Sequence, residues 1–204
     1  MTDGRWRKYA SFVYPIGMTR AYRLDAQSDA IAHSFGARHG PDPWGGGDLR
    51  PGEFAPVIVQ SAKSSERVIR PMVWGYPAPN SMTPSGQVQW VPTVRNVESP
   101  FWIGNLRHVE LRCLVPATAI LRTQTSTAAD CDTPQGALFA MAGIWRDLTD
   151  MPVFAIVSVA DPKKERASTP LILDGPKQQL WLTADWKDAA RLLEPDKGRA
   201  LPCA

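Results

Sequence analysis

The sequence predicts an α+β fold: a single domain with one curved, mostly antiparallel, barrel-like β-sheet and a few packed helices. Three observations predict it. Nineteen prolines and fifteen glycines in 204 residues punctuate the chain too often for a helical bundle. The apolar segments are mostly short and strand-like, with helical spacing confined to three places. No internal repeat is present.

Taken in order, residues 1–17 have neither helical nor strand period and read as an appended arm or a misplaced start. The pattern changes at Met18. Residues 19–24 (TRAYRL) alternate as a short strand, and Asp25 to Phe35 reads as a helix with Asp25 at its N-cap and Gly36 closing it. Residues 38–52 read as a surface loop. Its Gly45–Gly47 run lacks the Lys-Ser/Thr step of a phosphate cradle. FAPVIVQ (54–60) is a strand entered through Pro56, and VIRPMVWGY (68–76) resumes β pattern. The Pro/Ser/Asn-rich residues 77–90 show no period and are expected to be mobile. Ser99 starts a helix with Pro100 in its first turn and Phe101, Ile103 and Leu106 on its apolar face. LRCLVP (111–116) is a compact strand that continues, after a kink, over 119–122. Residues 123–136 form a polar loop. ALFAMAGIW (137–145) and VFAIVSV (153–159) are apolar enough to be central strands. A charged loop covers 160–169, a short strand starts at Pro170, and Trp181 to Leu193 reads as one amphipathic helix.

An apolar fraction of 44% with 21% charged residues is that of a globular protein. No apolar run reaches the ~18 residues of a membrane span. The three cysteines, Cys113, Cys131 and Cys203, are odd in number and lack CxxC spacing. They provide neither a disulfide framework nor a zinc site, and the expectation is a cytoplasmic protein without metal or cofactor. Cys113, inside an apolar strand, reads as an inert core thiol. The net charge of +3 is compatible with a polyanionic partner, and eight tryptophans offer stacking surfaces for bases. The stretch from Val91 to Arg122 combines buried aromatics with frequent arginines and is the expected floor of a nucleic-acid site.

In order along the chain, WGYP (74–77), a Val-Arg-Asn step (94–96), ELRCLVPA (110–117), MAGIW (141–145) and PLIL (170–173) resemble the signature of the SOS-response-associated peptidase (SRAP) domain, the abasic-site-sensing family. The match spans about residues 18–195, leaving 196–204 as a tail. The resemblance implies recognition of abasic sites in single-stranded DNA. In that family an N-terminal cysteine cross-links to the sugar aldehyde: the α-amine forms an imine and the thiolate closes a thiazolidine. A glutamate and a histidine move protons. An asparagine and an arginine hold the sugar and phosphates.

Carried over position by position, the cysteine becomes Thr19, the asparagine Thr93, the glutamate Arg122 and the histidine Arg166; only the arginine is kept, as Arg95. His33, His39 and His108 fall elsewhere. A hydroxyl is far less acidic than a thiol, and an arginine is no general acid at neutral pH. Residues 1–17 would also bury the α-amine in a peptide bond, unless Met18 is the true start and its removal exposes Thr19. The expectation is a DNA-damage-associated protein that binds single-stranded or abasic DNA, nucleoid-associated and monomeric, with covalent and peptidase chemistry weakened or lost. Arg95, Thr93, Asn96, Trp74 and Arg112 are its expected DNA contacts. For Trp74 a packed turn is the rival to a base-stacking wedge, and for Asn96 a helix cap is the rival to a ligand contact. The competing expectation is a catalytically dead scaffold or interaction module on the same fold, without DNA binding.

Overall fold

A strand with both faces covered loses the alternation of a half-exposed one, and three apolar runs do so here. In the computed structural model, which describes residues 21–41, 44–62, 64–82, 88–121, 137–149, 151–160 and 168–194, these runs are neighbours in one sheet. They are β9 (Arg112–Ala117), β11 (Phe139–Leu148) and β12 (Met151–Ala160). Every residue of β9 is buried. β4 (Phe54–Gln60) pairs with β9, and β5 (Arg67–Trp74) pairs with β4 along its whole length. β5 then returns to β12 in parallel, Val73 opposite Val153 and Trp74 opposite Phe154. That last pairing closes a five-stranded barrel, β12-β11-β9-β4-β5, in line with the barrel-like, mostly antiparallel sheet predicted from the sequence.

The barrel is splayed at one corner. β11 and β12 pair from Leu148 and Met151 as far as Gly143 and Ile156, then part. Leu171 fills the gap: its N–H donates to Val157 O (2.9 Å) and its carbonyl accepts from Ala142 N (2.8 Å). β13 (Ser168–Pro170) and β14 (Ile172–Leu173) lie on either side of it. At Gly143, where the strands part, an added Cβ would sit 2.8 Å from Cys113 Sγ and 2.9 Å from Val115 Cγ2. Gly143→Ala is therefore expected to destabilise the domain by about 1–3 kcal/mol through overpacking, measurable by urea unfolding followed by circular dichroism. An unchanged midpoint would mean that the corner is loosely packed.

Around the barrel, β1 (Ala21–Leu24) sits between β10 (Ala119–Leu121) and β3 (Gly47–Leu49) in a small antiparallel sheet. Thr118 ties that sheet together, its N–H donating to Arg23 O (2.7 Å) and its Oγ1 accepting from Asp25 N (3.0 Å). β2 (Ala37–Arg38) lies parallel to the start of β5. β8 (Thr93–Val94) lies parallel to β12 beyond the point where β5 leaves it. Among the described residues the α-helices are α1 (Ser28–Phe35), α2 (Pro100–Arg107), α3 (Gly175–Thr183) and α4 (Trp186–Ala190).

Several expectations change. α1 begins at Ser28, with Gln27 rather than Asp25 at the N-cap position and no side-chain cap; the Asp25 N–H donates to Thr118, and Gly36 closes the helix in the left-handed conformation as expected. The 38–52 segment contributes β2 and β3, and Trp44 packs against the core with its Nε1 on Leu24 O (3.3 Å). Of residues 77–90, the described ones are strands, β6 (Tyr76–Met82) paired antiparallel with β7 (Val88–Val91), with Pro77 opposite Trp90. Ser99 caps α2 as expected, but the buried face is Trp102, Asn105 and Leu106, while Phe101 is exposed. The expected helix 181–193 is two: Thr183 ends α3 and Asp185 caps α4. The loop expected over 123–136 lies outside the described residues; of the one expected over 160–169, Ala160 ends β12, Ser168 and Thr169 belong to β13, and the rest lies outside the described residues.

Candidate functional site

The positions singled out by the sequence fall at the ends of strands. Thr19 lies two residues before β1, and Arg122 directly follows β10. Both are outside the described residues, but the strand ends they flank are partners, Ala21 opposite Leu121. Arg95 follows β8, whose Val94 is opposite Val157 in β12, and it is exposed. Arg166, also outside the described residues, lies between Ala160 and Ser168, which again are partners.

One side chain joins β1 and the entrance to β8 to the middle of β12. Trp74 is fully buried, which overturns its assignment as a DNA contact: its ring meets Tyr22 of β1 edge-on (centroids 4.9 Å) and stacks on Phe154 of β12 (6.5 Å). Its Nε1 donates to Pro92 O (2.9 Å), the residue that leads into β8. Beside it stand two buried hydroxyls without a hydrogen-bond partner, Tyr22 OH and Thr93 Oγ1. Burial pushes the Tyr22 phenol well above its ordinary pKa, with Cys113 and Glu53 adding to the shift, so it stays a neutral donor. Thr93 is buried, so its side chain underlies the strand end rather than lining a groove. Asn96 is exposed and its Oδ1 accepts from Glu98 N (3.0 Å), the turn that leads into α2.

Arg112 is the other correction. Only 1% exposed, its guanidinium faces helix ends and not solvent. Nε donates to Leu106 O (2.8 Å) at the end of α2, and Nη1 to Trp181 O (3.2 Å) and Ala184 O (2.8 Å) at the end of α3. The charge lies over the rings of Trp181 (5.5 Å) and Trp186 (5.7 Å). Cys113 is buried and its thiol is pushed well above its ordinary pKa by burial, the inert core thiol expected. His108 is exposed, 3.2 Å from Glu110.

Sequence reasoning missed Trp90. Half-buried, it lies across Gly52 (φ 91°) and Gly75 (φ 114°), where an added Cβ would come within 2.7 Å of its Nε1 and 2.9 Å of its Cβ respectively. Two glycines in the left-handed region, where other residues are strained, bring backbone flat against the indole. Phe54, two residues after Gly52, and Val88, two residues before Trp90 in β7, are exposed. The signal was present in Gly52, Gly75 and Trp90, but only the fold brings them together.

The barrel is a fold already seen in solved structures. A crystal structure of a protein from Bordetella bronchiseptica matches with a TM-score of 0.62 at 18% identity, covering 86% of this chain and 93% of that one. A phage-related protein from the same organism, also known from X-ray crystallography, matches with a TM-score of 0.58 at 16% identity over 85% and 87%. At such identities the likeness concerns fold alone. No protein-family model and no curated protein matches the chain. Among the described residues no group of His, Cys, Asp or Glu could hold a metal ion, and no helix is long and apolar enough to cross a membrane.

Proposed function

We propose that this protein binds single-stranded DNA, including abasic DNA, in the manner of the SRAP family it resembles, and that it has lost the family's covalent chemistry. The observation that carries the proposal is that Trp74 brings together β1 and the entrance to β8, the strands next to positions 19 and 95, while Ala21 of β1 is opposite Leu121, the residue before position 122. The residues at those positions favour binding over reaction. Arginine replaces the proton-transfer groups at positions 122 and 166, threonine replaces the thiol at position 19, and Arg95 is the exposed cation of the original signature. The stacking role passes from Trp74 to Trp90, whose half-buried ring, with Phe54 and Val88 exposed nearby, suits unstacked bases.

Each single-strand phosphate neutralised contributes about −0.7 to the slope of log K against log salt. Arg95→Ala is expected to flatten that slope by about 0.7, and Arg95→Ala with Arg122→Ala by about twice as much, in fluorescence anisotropy with a labelled oligonucleotide. Borohydride added to an abasic oligonucleotide should trap no adduct; a trapped adduct would restore the reactive alternative. Absence of binding at low salt would leave the scaffold alternative.

A further inference from the structure

At the other end of β5, about 23 Å from Trp74 at ~3.3 Å per residue, a cleft of roughly 410 Å3 opens between the end of α1, β2, the β4–β5 turn and α3. Arg38, Gln60, Ser65, Glu66, Arg67 and Gln179 contribute its polar lining. Arg38 and Glu66 pair with each other (3.3 Å), so their charges cancel locally. Arg67 has no such partner. Its Nη1 donates to Phe35 O (3.0 Å) and Gln178 Oε1 (3.4 Å), and its Nη2 to Gln179 Oε1 (3.1 Å). All three acceptors are neutral, and among the described residues no carboxylate meets this guanidinium. An arginine has five N–H donors; among the described residues the Nε hydrogen and one of the two on Nη2 have no acceptor. Burial works against the Arg67 charge, lowering its pKa, and the three neutral acceptors compensate it without a counter-charge.

The turn that shapes the cleft is strained as well. Ser65 has φ 53°, the one non-glycine residue with positive φ among those described. Its N–H donates to Ser61 O (3.2 Å), and its carbonyl accepts from the Gln60 side chain. Such strain persists where the surroundings enforce it, and it concentrates at ligand sites.

From the cleft, the guanidinium that no carboxylate meets and the strained turn, we infer a second binding site, for a small molecule carrying a phosphate or carboxylate that docks on the unused donors of Arg67, its Nε–H among them, with Arg38 at its rim. A planar two-oxygen acceptor matches the fork in a way that a point charge does not. The site is independent of the DNA-binding proposal, and either can fail alone.

The test is a titration of the 15N-labelled full chain with inorganic phosphate and, separately, with acetate, at an ionic strength held constant with chloride. Saturable shifts are expected at the amides of residues 64–67 and at the Arg67 Nε–H, and the stronger of the two anions identifies the head group. Arg67→Lys keeps the charge and reach but not the fork; it should weaken binding about tenfold. Because Arg67 also caps α1, Arg38→Gln serves as a second variant at an exposed position, expected to weaken binding about threefold. Absence of saturable shifts with both anions, or unchanged affinity in both variants, overturns the inference.

Discussion

Trp74→Ala is expected to remove about 3–5 kcal/mol of stability, the range for emptying a buried aromatic site. The ring has no exposed surface, and it joins Tyr22 in β1, which pairs with neither of the other two strands, to Phe154 in β12 and Pro92 at the entrance to β8. Alanine would leave a cavity at the seam where β5 meets β12, the pairing that closes the barrel. Trp74→Phe separates two contributions. It keeps most of the apolar volume and removes one of the two donors to Pro92 O, which still accepts from Ile156 N (2.9 Å), so the lost hydrogen bond costs only about 0.5–1.5 kcal/mol. Urea unfolding followed by circular dichroism measures both variants. A base-stacking wedge would behave in the opposite way, with stability nearly intact and DNA affinity lost in both. For a core tryptophan, DNA affinity per folded molecule should survive in Trp74→Phe, because Arg95 and Trp90 remain in place.

The contrast between Trp74 and Trp90 marks how far the sequence was legible. Barrel strands could be read because continuous burial leaves an apolar run, as in 139–145 and 153–157. The start of α2 could be read because Ser99 and Pro100 are local signals, as is Gly36 at the end of α1. What could not be read depends on contacts distant in the chain. Prolines at 77 and 79 argue against a strand, yet β6 pairs only with β7, and its other edge tolerates residues that lack an N–H. The single helix expected over 181–193 fails at Ala184–Asp185. There Asp185 accepts from Asp188 N (2.9 Å) and starts α4, while the Ala184 carbonyl is claimed by Arg112, seventy-two residues away in sequence. Trp90 acquires its setting only once Gly52 and Gly75 are brought beneath it. The same holds for charge. Counting arginines between residues 91 and 122 gives a basic segment, but a count cannot tell an arginine facing solvent, such as Arg95, from one facing backbone carbonyls.

Arg112→Ala should therefore act on folding and leave DNA binding almost untouched. Two helix C-termini, those of α2 and α3, converge on this side chain, and each carries partial negative charge on its last carbonyls. A guanidinium supplies several donors in one plane. Three of them are used here, on Leu106, Trp181 and Ala184, while Trp181 and Trp186 cover the charge. Nη2 finds no acceptor, so burial of the cation is incompletely compensated. Removing the side chain leaves three carbonyls without their donor and opens a cavity beside Trp181, a loss of about 3–5 kcal/mol. Lysine keeps the charge but concentrates its donors on one nitrogen that cannot reach all three carbonyls, so Arg112→Lys should recover only part of that loss. The discriminating measurement is the salt dependence of single-stranded DNA binding by the folded fraction. Arg112→Lys should keep the parent slope, whereas Arg95→Ala should lower it by about 0.7. A slope lowered equally by both would mean that Arg112 reaches phosphate, and that its contacts to the two helix ends are given up when DNA binds.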